Sequence, residues 1–154
     1  GLSGMATKDD DFITTLFVAN THTPLLVFTT DGIVYKLKTW RLPLGGRNTK
    51  GRYLKQVIEG IREDAGVAAI MPVDKPEEEW NDLQIVFATS KGDVRRNALS
   101  DFTNVLRNGK IAMKFEGEDE DATLENARMR SNRVMSRSSP ACRSRQISRP
   151  SGRR

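Results

Sequence analysis

The chain has 154 residues, of which 37% are hydrophobic and 29% are charged, a composition typical of a soluble globular protein. No apolar run approaches the roughly 18 residues of a membrane helix, and the N-terminal segment lacks the basic start and apolar core of a secretion signal. The single cysteine, Cys142, excludes a disulfide within the chain and a cysteine metal cluster, and it fits a reducing compartment.

The formal net charge of +5 is unevenly distributed along the chain. The C-terminal tail, residues 122–154, holds nine arginines and one acidic residue, which leaves residues 1–121 with a net charge of −3. Nucleic-acid binding by the first 121 residues therefore depends on where their basic side chains lie rather than on the overall charge.

The first half of the chain is a series of short strands. The alternation of apolar and polar residues predicts strands over residues 12–20, 25–30, 33–38 and 53–58. Asp31-Gly32 is a hairpin turn between the second and third of these strands. Within the third strand, Tyr35 and Lys36 are predicted to lie on opposite faces, and a polar glycine loop follows at residues 45–52.

The second half repeats this order. Strands are predicted over residues 67–73, 83–89, 93–97 and 111–115. An acidic, solvated loop covers residues 74–79, and a second basic glycine loop covers residues 107–110. Helix is scarce, with short turns expected only near residues 58–64 and 98–106.

The two halves resemble one another at a spacing of about sixty residues. Residues 27–36 return as residues 86–96 with one extra residue before the second glycine, Arg47-Asn48 returns as Arg107-Asn108, and Gly51 returns as Gly109. A fixed period with the same order of apolar run, turn, basic strand and glycine loop predicts a tandem β-repeat. Because such a unit cannot bury its apolar face alone, we expect the chain to be part of a larger array.

The C-terminal tail differs from the rest of the sequence. Sixteen of its 33 residues are Arg or Ser and none is aromatic, which predicts a disordered segment. It replaces the repeat where a third unit is expected to begin. Two interpretations stay open, a native disordered tail and the product of a shifted reading frame.

No motif predicts catalysis, a metal site or a cofactor site. Residues 46–53 approach a phosphate-binding P-loop, but Arg52 and Tyr53 stand where its Lys and its Ser or Thr are needed. His22 is the only histidine, which argues against zinc. The acidic clusters at residues 9–11, 77–79 and 118–121 are typical of solvated charge.

The basic residues of the two repeats are the functional candidates. A solvated strand face explains any single one, but their recurrence at equivalent positions favours a row of cations along one rim. Such a rim holds the backbone of a bent duplex and positions DNA without reading its sequence. The predicted DNA-binding residues, called here the predicted cations, are Lys36, Lys38, Arg41, Arg47, Lys50, Arg52, Arg95, Arg96, Arg107, Lys110 and Lys114.

Several of these stretches are similar to a known family. LFVANTH at residues 16–22, GIVYKLK at 32–38 and WRLP at 40–43 resemble the first blade of the C-terminal domain of DNA gyrase A. Residues 86–96 and GKIAMK at 109–114 resemble its second blade, so that the resemblance covers about residues 1–121.

The resemblance implies an all-β fold, a β-pinwheel made of propeller-like, four-stranded blades. Two blades would be present, at about residues 12–60 and 61–117, followed by the disordered basic tail at 122–154. It also implies sequence-nonspecific binding and wrapping of double-stranded DNA. In the parent enzyme, wrapping supports negative supercoiling by an ATP-dependent type II topoisomerase.

The same resemblance implies partners and a location. The partners are double-stranded DNA, the rest of the gyrase A protein and the gyrase B protein of the parent heterotetramer, in the bacterial cytoplasm and with nucleoid DNA. The catalytic tyrosine, the ATPase and the use of ATP and Mg²⁺ belong to other domains, so no cofactor and no membrane contact is expected for this segment.

Three alternatives stay open. The segment could come from the A protein of topoisomerase IV, which carries related blades. It could be a propeller-type protein-interaction module whose basic groups only confer solubility. In the third alternative the arginine-rich tail makes all the nucleic-acid contacts.

Overall fold

Two antiparallel sheets form the fold. The computed structural model describes residues 12–46, 48–115 and 122–131. Sheet A has the strand order β3-β1-β2-β6, and the described part of sheet B has the order β5-β4-β7. The strands are β1 (Pro24–Thr29), β2 (Ile33–Lys38), β3 (Val67–Pro72), β4 (Leu83–Thr89), β5 (Val94–Ala98), β6 (Lys110–Ile111) and β7 (Leu124–Ser131). The predicted all-β fold class is confirmed.

In the part of the chain that the structure describes, helical structure is limited to short pieces between the strands. A single turn of α-helix, α1, spans Leu54–Val57, and 3-10 segments span Thr39–Arg41, Glu77–Asp82 and Leu99–Phe102. Within the described ranges, no helix is long and apolar enough to cross a membrane.

The two predicted hairpins are present and share one register. Phe28 pairs with Val34 in the first hairpin, and Ala88 pairs with Val94 in the second. Gly32 and Gly92 occupy the turns with φ of 77° and 96°, a conformation that glycine adopts at little cost. The hairpins are therefore equivalent at an offset of 60 residues.

The sheets do not follow the predicted division at residue 60. β3 pairs with β1 and β6 pairs with β2, so sheet A takes strands from both predicted units. The β1–β2 hairpin has two open edges, and the strands that close them lie far along the chain. The periodicity of the sequence predicts where a strand lies but not which other strand it pairs with.

The prediction of disorder for residues 122–154 is wrong over residues 124–131. β7 pairs with β4 from Leu124 opposite Thr89 to Ser131 opposite Leu83. Leu124 and Ala127 are buried against the core. A strand that pairs with the edge of an existing sheet needs only a few apolar side chains, so a mostly polar segment can form it. Residues 132–154 lie outside the described residues.

β7 repeats the role of β3. β1 shifts register on β3 between Phe28 and Thr29, and β4 shifts register on β7 at the equivalent step between Ala88 and Thr89. The tail thus begins with the strand that opens the next unit in the repeat.

Two other predicted strands are absent. Residues 12–20 form no strand, and Leu16 and Val18 are exposed. Residues 53–58 contain α1 instead. Neither segment pairs with a described strand, and α1 packs over a face of sheet A instead of at one of its edges.

The core has two parts. Between the sheets, Phe28, Phe87 and Phe102 form a triangle of edge-to-face rings with centroids 5.4 to 6.1 Å apart. On the other face of sheet A, Tyr35 and Leu37 pack with Ile58 and α1. Sheet A is therefore covered on both faces, while sheet B contributes only one face to the described core.

Candidate nucleic-acid interface

Lys36 lies at the contact between the two sheets rather than on an exposed rim. Its Nζ is 2.6 Å from Glu77 Oε1, donates a hydrogen bond of 2.8 Å to the carbonyl of Thr103, and lies 4.9 Å from the centroid of the Trp80 ring. Only 15% of the Lys36 side chain is exposed. Three partners already surround the ammonium, so it does not present a charge to a phosphate in this arrangement.

The predicted cations that follow Lys36 along the chain are exposed. Lys38 Nζ lies 3.5 Å from the carbonyl oxygen of His22, and the Arg41 guanidinium lies 5.4 Å from the centroid of the Trp40 ring. Trp40 is 58% exposed, so an Arg and an aromatic face stand together at the end of β2. A guanidinium stacked on an exposed ring remains available to a phosphate oxygen at its edge.

The two glycine loops carry further exposed cations. Lys50 and Arg52 are exposed in the first loop, and Arg47 lies outside the described residues. In the second loop Arg107 lies 3.9 Å from Glu59, and both side chains are 83% exposed. Such a pair contributes little to stability, because water screens it.

The remaining cations of the second loop are also at the surface. Lys110 donates a hydrogen bond to the carbonyl of Asp101, and its residue is exposed on β6. Lys114 is exposed as well.

Arg95 and Arg96 are exposed on β5 but point to opposite faces of sheet B. Arg95 is opposite Phe87, whose ring lies in the core between the sheets, and Arg96 is opposite Val86 on the outer face. In sheet A the equivalent positions are Tyr35 and Lys36. The structure therefore makes Arg96, and not Arg95, the counterpart of Lys36.

Arg128 and Arg130 are exposed cations outside the predicted set. They lie on β7 opposite Val86 and Gln84 and alternate with Ala127 and Met129, which face the core. That alternation is visible in the sequence and could have identified them. The overall composition of the tail, rich in Arg and Ser, does not indicate this alternation.

No group of three or more His, Cys, Asp or Glu side chains is placed to hold a metal ion within residues 12–46, 48–115 and 122–131. His22 belongs to a turn in which its backbone N–H bonds to Asn20 Oδ1 at 3.0 Å.

The sequence matches the family described as the DNA gyrase C-terminal domain, beta-propeller, over residues 1–20, 23–74 and 84–120. The chain belongs to this family. It is 41% identical over 119 residues to the DNA gyrase A protein of Rickettsia prowazekii and 42% identical over 120 residues to that of Staphylococcus aureus. The alignments cover 77% and 78% of this chain but 13% of each relative, so the chain spans about an eighth of their length.

Solved structures show the same fold. The crystal structure of the C-terminal domain of DNA topoisomerase IV matches with a TM-score of 0.66 over 84% of this chain and 38% of its own. The structure of the DNA gyrase A C-terminal domain matches with a TM-score of 0.59 over 85% and 39%. Both are 18% identical in sequence, so they establish the fold, while the match to the family model establishes the family.

Proposed function

We propose that this chain binds double-stranded DNA through the phosphate backbone, independently of base sequence, as a segment of the DNA-wrapping C-terminal domain of gyrase A. The observation that carries the proposal is a set of exposed arginines in a member of this family. Arg41, Arg52 and Arg95 are exposed and make no ion pair with any described residue. Arginine suits this task because its guanidinium meets phosphate oxygens with two parallel hydrogen bonds.

The geometry favours contact with the backbone over base readout. The described structure offers no helix long enough to enter a major groove. Separated guanidinium groups on strands and loops instead suit the phosphate backbone of DNA, whose charges are the same for every base sequence. Binding of this kind weakens steeply with salt, because each neutralised phosphate releases condensed counterions.

The activity of the whole enzyme is part of the same proposal. We infer that the segment acts with the rest of the gyrase A protein and with the gyrase B protein, in the bacterial cytoplasm and on nucleoid DNA. ATP hydrolysis and Mg²⁺ chemistry belong to other domains, and the contribution of this segment is to hold DNA during negative supercoiling.

Fluorescence anisotropy of a labelled duplex, titrated with the full chain at several salt concentrations, tests the proposal. The site variant carries Arg41→Gln, Arg52→Gln and Arg95→Gln. The control carries Lys55→Gln, Arg62→Gln and Lys75→Gln, which removes the same charge from cations outside the predicted set. We expect the log–log salt slope of the site variant to flatten by about 3, at roughly 0.9 for each lost contact, and that of the control to change little.

The same titration separates the alternatives. A site variant and a control with equal slopes would contradict a defined DNA surface on the blades. Loss of binding only when the seven arginines of residues 132–154 are replaced would assign the contacts to the tail. Binding to a protein partner that does not respond to salt would favour a protein-interaction module.

A further inference from the structure

The outer face of sheet B is the register equivalent of a face that is buried in sheet A. In sheet A, Leu26 and Phe28 on β1 and Lys36 on β2 lie on the face that sheet B covers. At an offset of 60 residues the same face of sheet B carries Val86 and Arg96, and among the described residues no second sheet covers this face. The structure thus presents the same surface twice, once covered and once exposed.

This open face is cationic. Arg96 and Arg128 both lie directly opposite Val86, on the two strands that flank β4. With a strand spacing of about 4.8 Å, their Cα atoms are about 10 Å apart, and Arg130 lies about 7 Å further along β7. The paired positions on this face of sheet B include no carboxylate. They are Gln84, Val86, Ala88, Val94, Arg96, Ala98, Asn126, Arg128 and Arg130.

The chemistry of this face does not suit a second apolar sheet. In sheet A the position of Arg128 is taken by Met71, and Lys36 is neutralised by Glu77 of the neighbouring segment. Among the described residues, neither Arg96, Arg128 nor Arg130 has such a partner. Covering these guanidinium groups with apolar side chains would bury unpaired charges, which is strongly unfavourable.

We propose that Arg96, Arg128 and Arg130 form a second contact surface for the phosphate backbone of duplex DNA, on the open face of sheet B. The inference rests on the proposed function and extends it to two residues of the C-terminal tail. Arginines whose Cα atoms lie about 7 to 10 Å apart on a sheet, by a strand spacing of about 4.8 Å, reach neighbouring phosphates from a backbone that is already ordered. Val86 lies between Arg96 and Arg128, where it keeps the floor of the surface apolar and free of competing negative charge.

The test compares variants of the full chain by anisotropy against salt. The face variant carries Arg96→Gln, Arg128→Gln and Arg130→Gln, and the matched control carries Arg149→Gln, Arg153→Gln and Arg154→Gln, with the same change in charge. We expect the slope of the face variant to flatten by about 3 and that of the control by less than half as much. Replacement of the same three face residues by Lys should retain most of the slope, and far-UV circular dichroism should show equal strand content in all variants.

A second pair of variants does not depend on arginine. Val86→Glu places a negative charge between Arg96 and Arg128, while Val67→Glu places one on the exposed edge strand of sheet A. We expect at least a tenfold loss of DNA affinity for Val86→Glu and less than a threefold loss for Val67→Glu.

The outcomes separate this inference from the proposed function. The inference would be overturned if the salt slope of the face variant equalled that of the unchanged chain, or flattened no more than that of the tail control. A flatter salt slope for the Arg41/Arg52/Arg95 variant would still support the proposed function. No DNA binding by the unchanged chain would overturn both. A dimer that dissociates on Val86→Glu with DNA affinity unchanged would show that a second copy covers the face, and would also overturn the inference.

Discussion

Lys36 Nζ lies 2.6 Å from Glu77 Oε1, and this ion pair joins sheet A to the 3-10 segment that leads into β4. The same ammonium donates a hydrogen bond to the carbonyl of Thr103 and lies over the Trp80 ring. One cation of the repeat therefore holds the two sheets together, while its counterpart Arg96 is exposed. Equivalent positions in a repeat serve different purposes when only one of them is covered by other described residues.

Replacement of Lys36 should lower stability and leave DNA binding nearly unchanged. Lys36→Met keeps the apolar stem but removes the donor to Thr103, and we expect a loss of about 2 kcal/mol in the free energy of unfolding. Glu77→Gln should cost only about 0.5 kcal/mol, because the Glu77 side chain is 41% exposed. Urea unfolding measures both, and a Lys36→Met chain of normal stability with a flatter salt slope for DNA would show instead that Lys36 contacts phosphate.

β7 should be needed for the stability of sheet B. A chain that stops after residue 121 leaves the β4 edge unpaired and removes Leu124 and Ala127 from the core. We expect a loss of at least about 3 kcal/mol relative to a chain that stops after Ser131, because buried apolar area and seven register pairs are lost together. Urea unfolding of the two truncated chains is the measurement, and equal midpoints would show that β7 does not belong to the sheet in solution.

The hairpins could be predicted from the sequence because all of their information is local. Gly32 and Gly92 fix the turns, and alternating side chains fix the register on either side. The strand partners β3, β6 and β7 could not be predicted, because pairing across 35 or more residues depends on which sheet edge is free. The same limit applies to residues 12–20, whose composition predicts a strand although they pair with no described strand.

Among the predicted cations, features that depend on local sequence could also be predicted, while features that depend on long-range contacts could not. Opposite faces for Arg95 and Arg96 follow from the period of two in a strand, which the sequence contains. The burial of Lys36 cannot be predicted from this period, because its partner Glu77 is 41 residues away and contacts it only when the sheets pack. The composition of the tail does not distinguish Arg128 and Arg130 from its other arginines. Their place on one face of sheet B follows only from the register of β7 on β4.

Gly109 should tolerate no side chain, although the repeat equates it with Gly51. Its φ is +83°, and a Cβ atom there would lie 2.5 Å from Ile33 Cγ2 and 2.9 Å from Tyr35 Cε1. We expect Gly109→Ala to lose about 3 kcal/mol, from left-handed strain and from a clash with two side chains of β2.

Two glycines separate these causes. Gly92 has a φ of +96° with open space around it, so Gly92→Ala should show the strain alone, about 1 kcal/mol. Gly51 has open space and no positive φ, so Gly51→Ala should stay within about 0.5 kcal/mol of the unchanged chain. Thermal unfolding of the three variants gives the order, and a Gly109→Ala chain as stable as Gly51→Ala would refute the close approach of Gly109 to β2.

Tyr35 should make the protein less stable in alkali. Burial, with a smaller contribution from the Asp31 carboxylate, raises the pKa of Tyr35 above its ordinary value of 10.0, and its hydroxyl donates a hydrogen bond of 3.0 Å to the carbonyl of Gly60. Because the folded state holds the proton more tightly, this contribution is fully present below about pH 10 and is lost as pH rises through the raised pKa. Tyr35→Phe should cost about 1 kcal/mol at neutral pH and flatten the alkaline decline, whereas Tyr53→Phe, at an exposed position, should do neither. Urea midpoints measured from neutral pH upward give the comparison, and identical alkaline declines in the two variants would show that Tyr35 ionises as an exposed phenol.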